Sequence, residues 1–152
     1  MQMKNILLVA VAALFVGYTY FSNHPGSTSY VVPPAIIEKN DRANAILTQA
    51  FAHHQSHLQV SGYGTVSRLL PDDNSGGRHQ KFLVRLSPDH TILIAHNIDL
   101  APRINALHAG GDIQFSGEYV WNEKGGVIHW THRDPQGIHE AGWLLYQGKK
   151  YQ

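Results

Sequence analysis

The chain reads as a mainly β protein: a small OB-fold-like, five-stranded antiparallel barrel behind an amphipathic helix and an N-terminal apolar segment. Two observations predict it. From Leu58 onward, apolar and polar residues alternate with a period of two in separate stretches. Three meandering strands, a connector and a hairpin then follow in the order of a partly open barrel whose strand 2–3 face and neighbouring loops bind ligands. A flat α+β sheet is the alternative arrangement of the same elements. The 152 residues, 43 % hydrophobic and 15 % charged, suit one compact domain plus a targeting segment.

The targeting segment comes first. Met1 to Asn5 carry a single charge, Lys4, and Ile6 to Phe21 is an uncharged apolar run. A positive residue ahead of such a run is the pattern of an export signal or membrane anchor, with the Lys end left in the cytoplasm. Residues 1–21 are therefore expected to be a signal peptide or anchor. Tyr18 to Ser22 offers no small-x-small cleavage site, which favours an uncleaved anchor. Residues 22–40 begin with the Pro-, Gly- and Ser-rich SNHPGSTSYVVPP and read as a tether. The domain, residues 41–152, is expected on the periplasmic side of the inner membrane, or free if the segment is cleaved.

Asn40 or Asp41 can cap a helix running to about His57. Ala43, Ile46, Leu47, Ala50, Phe51 and His54 form its apolar stripe, with Ile46, Leu47 and Phe51 expected against the sheet. His53 and His57 would share a helix face. Strands follow at 58–70, 79–86, 91–96, 112–121 and 127–132. The loop Pro71–Gly77 separates the first two, and Asn122–Gly126 turns into the last. In the fourth, Ile113, Phe115, Tyr119 and Trp121 face one way, and Gln114, Ser116 and Glu118 the other.

Composition excludes several functions. There is no Cys, hence no disulfide, no thiolate metal site and no cysteine nucleophile. From Leu58 to Gln152, nine Lys/Arg balance nine Asp/Glu. That neutrality disfavours nucleic acid as a partner, leaving only a local basic patch at Arg78, Lys81 and Arg85. Ser61 sits in no Gly-x-Ser-x-Gly elbow, and no P-loop is present.

The 11 histidines are the chemical signal, because imidazole ligates metals and exchanges protons near neutral pH. The candidate ligand-binding residues are Arg78, His79, His96, Asn97, Asp99, Arg103, Glu118, His129, His132 and Asp134, with His139 following on the carboxy-terminal tail. Strand ends are expected to gather His79, His96, Glu118 and His129, with His129 opposite or diagonal to Glu118. Such nitrogens and carboxylates suit zinc, so His79, His96 and His129 are the candidate metal ligands. The competing expectation is structural: strand-end histidines bond backbone groups and stack on Trp121 or Trp130.

Gly77 to Phe82, Ala95 to Ile104, Gly117-Glu118-Tyr119 with Trp121-Asn122, Gly125 to His132 with Asp134-Pro135, and Gly142-Trp143 to Gln152 resemble a bacterial family catalogued as domain of unknown function 3465. The resemblance spans roughly Val60 to Gln152. It implies a small exported protein without an assigned activity, and it carries over no catalytic residues. The leading functional expectation is an envelope-exposed OB-type binding module for a glycan, single-stranded nucleic acid or protein partner. The alternatives are a metal-dependent hydrolase, a phosphodiesterase or nuclease using His79, His96, Asp99 and His129, and a structural envelope protein.

Overall fold

A computed structural model describes residues 34–152. The expected export segment and the tether as far as Pro33 lie outside the described residues. Among those described, no helix is long and apolar enough to cross a membrane.

Helix α1 (Pro34–Ala52) begins seven residues before the expected Asp41 start. Proline at its first position explains this: the ring fixes a helical φ and gives up only an N–H that has no intrahelical partner. The helix stops when His54 adopts a left-handed φ of 52° and Gln55 N–H donates to Ala50 O at 2.9 Å. His53 and His57 therefore do not share a helix face. The buried face also differs from the expected stripe. Leu47 and Ala50 are fully buried, whereas Ile46 is 54 % exposed. Asn44 is turned toward the sheet, where its amide bonds Tyr63 N and O.

Five strands close into a barrel: β1 (Leu58–Leu69), β2 (His79–Ser87), β3 (His90–Asn97), β4 (Asp112–Val120) and β5 (Val127–His129). Their order is β1-β2-β3-β5-β4, and a β1–β4 ladder completes the ring. The expected barrel is wholly antiparallel, but β3 and β5 pair in parallel through Leu93↔Val127 and Ile94↔Ile128. Topology demands it. Five strands that alternate up and down must, on closing, bring two of like direction together.

The alternation places Val60, Phe82, Val84, Ile92, Ile94, Ile113, Phe115, Tyr119 and Ile128 in the core. Ile104 and Leu107 of the β3–β4 connector join them. Gly126 turns the β4–β5 hairpin at φ 95°, and a Cβ there would stand 2.2 Å from the Tyr119 ring. Only glycine fits both the backbone and the space.

A second hairpin follows the five expected strands. β6 (Trp143–Tyr146) pairs with β4 and β7 (Lys149–Tyr151) pairs with β6, joined by Gln147 and Gly148 with positive φ. β4 thus divides one edge between two partners. β5 takes Glu118–Val120, and β6 takes Ile113–Ser116. The 13 residues of chain from Trp130 to Gly142 leave the barrel between them.

Candidate functional site

The gap in the β4 edge is where the chemistry collects. Register sets Gln59, Glu118 and His129 in one row across β1, β4 and β5, as Gln59↔Glu118 and Glu118↔His129. Val60, Gly117, Tyr119 and Ile128 point inward, so this row lies on the outer face. The expected opposition of His129 and Glu118 is therefore present.

Glu118 is the hub. Its Oε1 accepts a hydrogen bond from His57 Nδ1 at 2.7 Å, and its Oε2 accepts one from His139 Nε2 at 2.6 Å. His139 Nδ1 faces the Glu140 carbonyl at 2.8 Å. The His139 ring lies flat on Trp130, 4.2 Å between centroids and 8° between planes. Burial alone would raise the Glu118 carboxyl, but the bonds from His139 and His57 outweigh it and hold its pKa below the ordinary range. Burial opposes the charge on His139, and its bonds to Glu118 and the Glu140 carbonyl more than offset that, raising its pKa. His129 goes the other way, since burial lowers its pKa despite the neighbouring Glu118 charge. Its Nε2 and both amide atoms of Gln59 are buried without a hydrogen-bond partner among the described residues.

Two local devices hold His139 in place. Trp130 leaves β5 with a left-handed φ of 53°, uncommon for a bulky residue, and so redirects the chain. Gly142 returns beneath it, where a Cβ would lie 2.0 Å from the Trp130 carbonyl oxygen. Between them, the Asp134 carboxylate accepts the backbone N–H groups of Gln136, Ile138 and His139 at 2.8–2.9 Å. Those bonds, led by the one from His139, hold the Asp134 pKa low. Asp134 is thus the organiser of this loop.

Beside the cluster, Leu100, Trp130, Pro135, Gln136, Ile138 and His139 line a groove of about 450 Å³. Its lining is chiefly apolar, with Ile138 84 % exposed. A second hollow of about 510 Å³ is lined by Tyr63, Gly64, Thr65, Arg85, Leu86, Ser87 and Pro88 and contains no histidine.

The other expected site residues serve elsewhere. His96 points into the barrel, wholly buried, so the shared pocket expected for His79, His96 and His129 does not form. Strand alternation puts His96 on one face and His79 and His129 on the other. His96 Nε2–H donates to Pro102 O at 3.2 Å, and its Nδ1 accepts from Thr131 Oγ1–H at 2.8 Å. Burial drives its pKa down to about 4. His132 is buried, bonds the Arg133 carbonyl and packs its ring 5.3 Å from Trp130.

Arg78 pairs with Asp99 at 2.7 Å, and its backbone N–H and side chain hold the Asp99 pKa low. Arg103 bonds Asp72, and Lys81 approaches Asp73 at 3.5 Å. Asn97 caps the next turn through the N–H groups of Asp99 and Leu100, while His79 Nδ1–H donates to Gly77 O. These residues pin the β1–β2 loop and the connector. Among the described residues, no group of three or more His, Asp or Glu side chains is placed to hold a metal ion.

Fold and site together define a small five-stranded mixed β-barrel with a histidine–carboxylate cluster beside an apolar groove. The chain belongs to the family described as protein of unknown function DUF3465, whose model matches residues 31–152. The match extends the sequence resemblance upstream, through α1. No curated protein and no solved structure matches the chain.

Proposed function

We propose that the chain is an exported, envelope-exposed binding module that takes an apolar side chain of a peptide or protein partner into the Trp130 groove. The observation that carries the reading is the groove's lining. Leu100, Trp130, Pro135 and Ile138 offer apolar contact, while the Asp134 and His139 polar groups are already bonded within the protein. A saccharide needs several free donors and acceptors, and few remain. A polyanion needs a cluster of unpaired cations, yet of the Arg78, Lys81 and Arg85 patch two are each matched to a carboxylate. Lys4 ahead of the apolar Ile6–Phe21 run supports export.

The test presents the full chain in detergent with three immobilised probe sets: peptides bearing Leu, Ile, Phe or Trp anchors, oligosaccharides, and single-stranded oligodeoxynucleotides. Saturable binding to apolar-anchor peptides, reduced at least tenfold by Ile138→Asp and Leu100→Asp, is the expected result. Binding confined to saccharides or oligonucleotides, or no binding at all, overturns it.

A further inference from the structure

The proton count on His139 has a consequence for the groove. Both ring nitrogens face oxygens that only accept: the ionised Glu118 carboxylate at 2.6 Å and the Glu140 carbonyl at 2.8 Å. A neutral imidazole has one N–H, so it can satisfy only one of them. The other nitrogen would then present a lone pair to an oxygen lone pair at hydrogen-bond distance, which is repulsive. With an acceptor on each ring nitrogen, this is the arrangement of an imidazolium. The imidazolium also lies flat on the indole face of Trp130, whose negative face attracts a cation.

The segment carrying His139 is built to respond as one piece. Asp134 ties Gln136, Ile138 and His139 together from inside the loop, so those bonds survive any movement of the loop as a whole. The ties to the barrel run through the His139–Glu118 bond and the Trp130 stack, with exposed Arg133 and Ala141 at either end.

We propose that the groove is proton-gated: protonated His139 clamps the 134–139 loop onto Glu118 and Trp130, and loss of one proton releases the loop and opens the groove wall. This rests on the groove being the binding surface. The titratable groups around the clamp are His57 on the second Glu118 oxygen, His129 from β5, Asp134 within the loop, and His132 across Trp130. Asp134 and Glu118 favour the cation, whereas the other imidazoles oppose it if they charge. The raised pKa of His139 and the lowered pKa of Glu118 set the order of events. The clamp holds between the two values, and it opens as pH rises through that of His139 or falls through that of Glu118.

The experiment follows the His139 ring carbons by NMR, and Trp130 emission as the difference between the full chain and Trp130→Phe, from pH 5 to 9. The two curves should share one midpoint, above that of an exposed histidine. Glu118→Gln should move the midpoint down, and His139→Lys should abolish the emission change, with the β1–β5 amide spectrum retained in both. A His139 ring that stays neutral throughout, or a Trp130 signal that ignores its titration, overturns the gate. Apolar-anchor peptides provide the separate check. Affinity that differs at least threefold across the midpoint supports the gate. Equal affinity on both sides overturns it while leaving the groove standing, and peptides that bind at neither pH overturn the groove reading alone.

Discussion

Asn44 pairs with both backbone groups of Tyr63, as a neighbouring strand would. Its Nδ2 donates to Tyr63 O at 2.9 Å and its Oδ1 accepts from Tyr63 N–H at 3.2 Å, with Leu86 O a further 3.5 Å contact. β1 needs this because Leu58–Thr65 pair with β4 on one edge only, β2 joining from Thr65 onward. One helix side chain serves the stretch of β1 edge that β2 leaves unpaired.

Asn44→Ala should therefore destabilise the domain by about 1–3 kcal/mol, the cost of leaving partly buried backbone groups unpaired. Urea unfolding measures it. A change within about 0.3 kcal/mol would show that water serves Tyr63 equally well.

The strand faces were legible in the sequence, and they give a harsher prediction. Alternation alone placed Ile113, Phe115 and Tyr119 inward and Glu118 outward, and the short Asn122–Gly126 turn then set His129 opposite Glu118. Phe115→Asp buries an uncompensated charge where Phe115 has no exposed surface, and should cost more than about 4 kcal/mol. Unchanged thermal unfolding would contradict the register.

What the sequence did not disclose was long-range. Ile46 looked apolar enough to face the sheet, but the local pattern contains nothing about Tyr63's need for Asn44. His57 and His139 lie 82 residues apart in the chain, and only the closed barrel brings both to Glu118. Trp143–Tyr146 is too short a run to distinguish a strand from a tail by period. His96 read as a site residue because it ends a strand; its inward parity was already visible in Ile92 and Ile94.

His96 makes stability depend on pH. Its folded pKa is depressed to about 4 from 6.5, so the unfolded chain takes up a proton first as pH falls. The stability it contributes is complete above pH 6.5 and is lost progressively down to about pH 4. The slope is about 1.4 kcal/mol per pH unit, roughly 3 kcal/mol in all. His96→Gln, which can still donate to Pro102 O and accept from Thr131, should flatten this part of the stability profile. An identical slope in wild type and variant would show that His96 does not carry it.

Asp134→Ala should disorganise the loop without unfolding the barrel. Three backbone N–H groups lose their acceptor, so His139 should leave Trp130 while the thermal midpoint falls by only a few degrees, in the range of about 1 kcal/mol for an exposed turn. Loss of ring-current shifts on His139 is the readout. A preserved stack would mean that Glu118 alone positions the ring.

The claim that the Trp130 groove is the binding surface is tested most directly by mapping where a ligand lands. The ¹⁵N-labelled full chain would be titrated with the tightest apolar-anchor peptide from the array, following every resolved amide and the three Trp indole signals. Saturable shifts are expected at Leu100, Trp130, Gln136, Ile138 and His139, with Trp143 little affected. Shifts concentrated instead on Lys81, Leu83 and Leu93 of the strand 2–3 face, or no saturable shift at all, would contradict it.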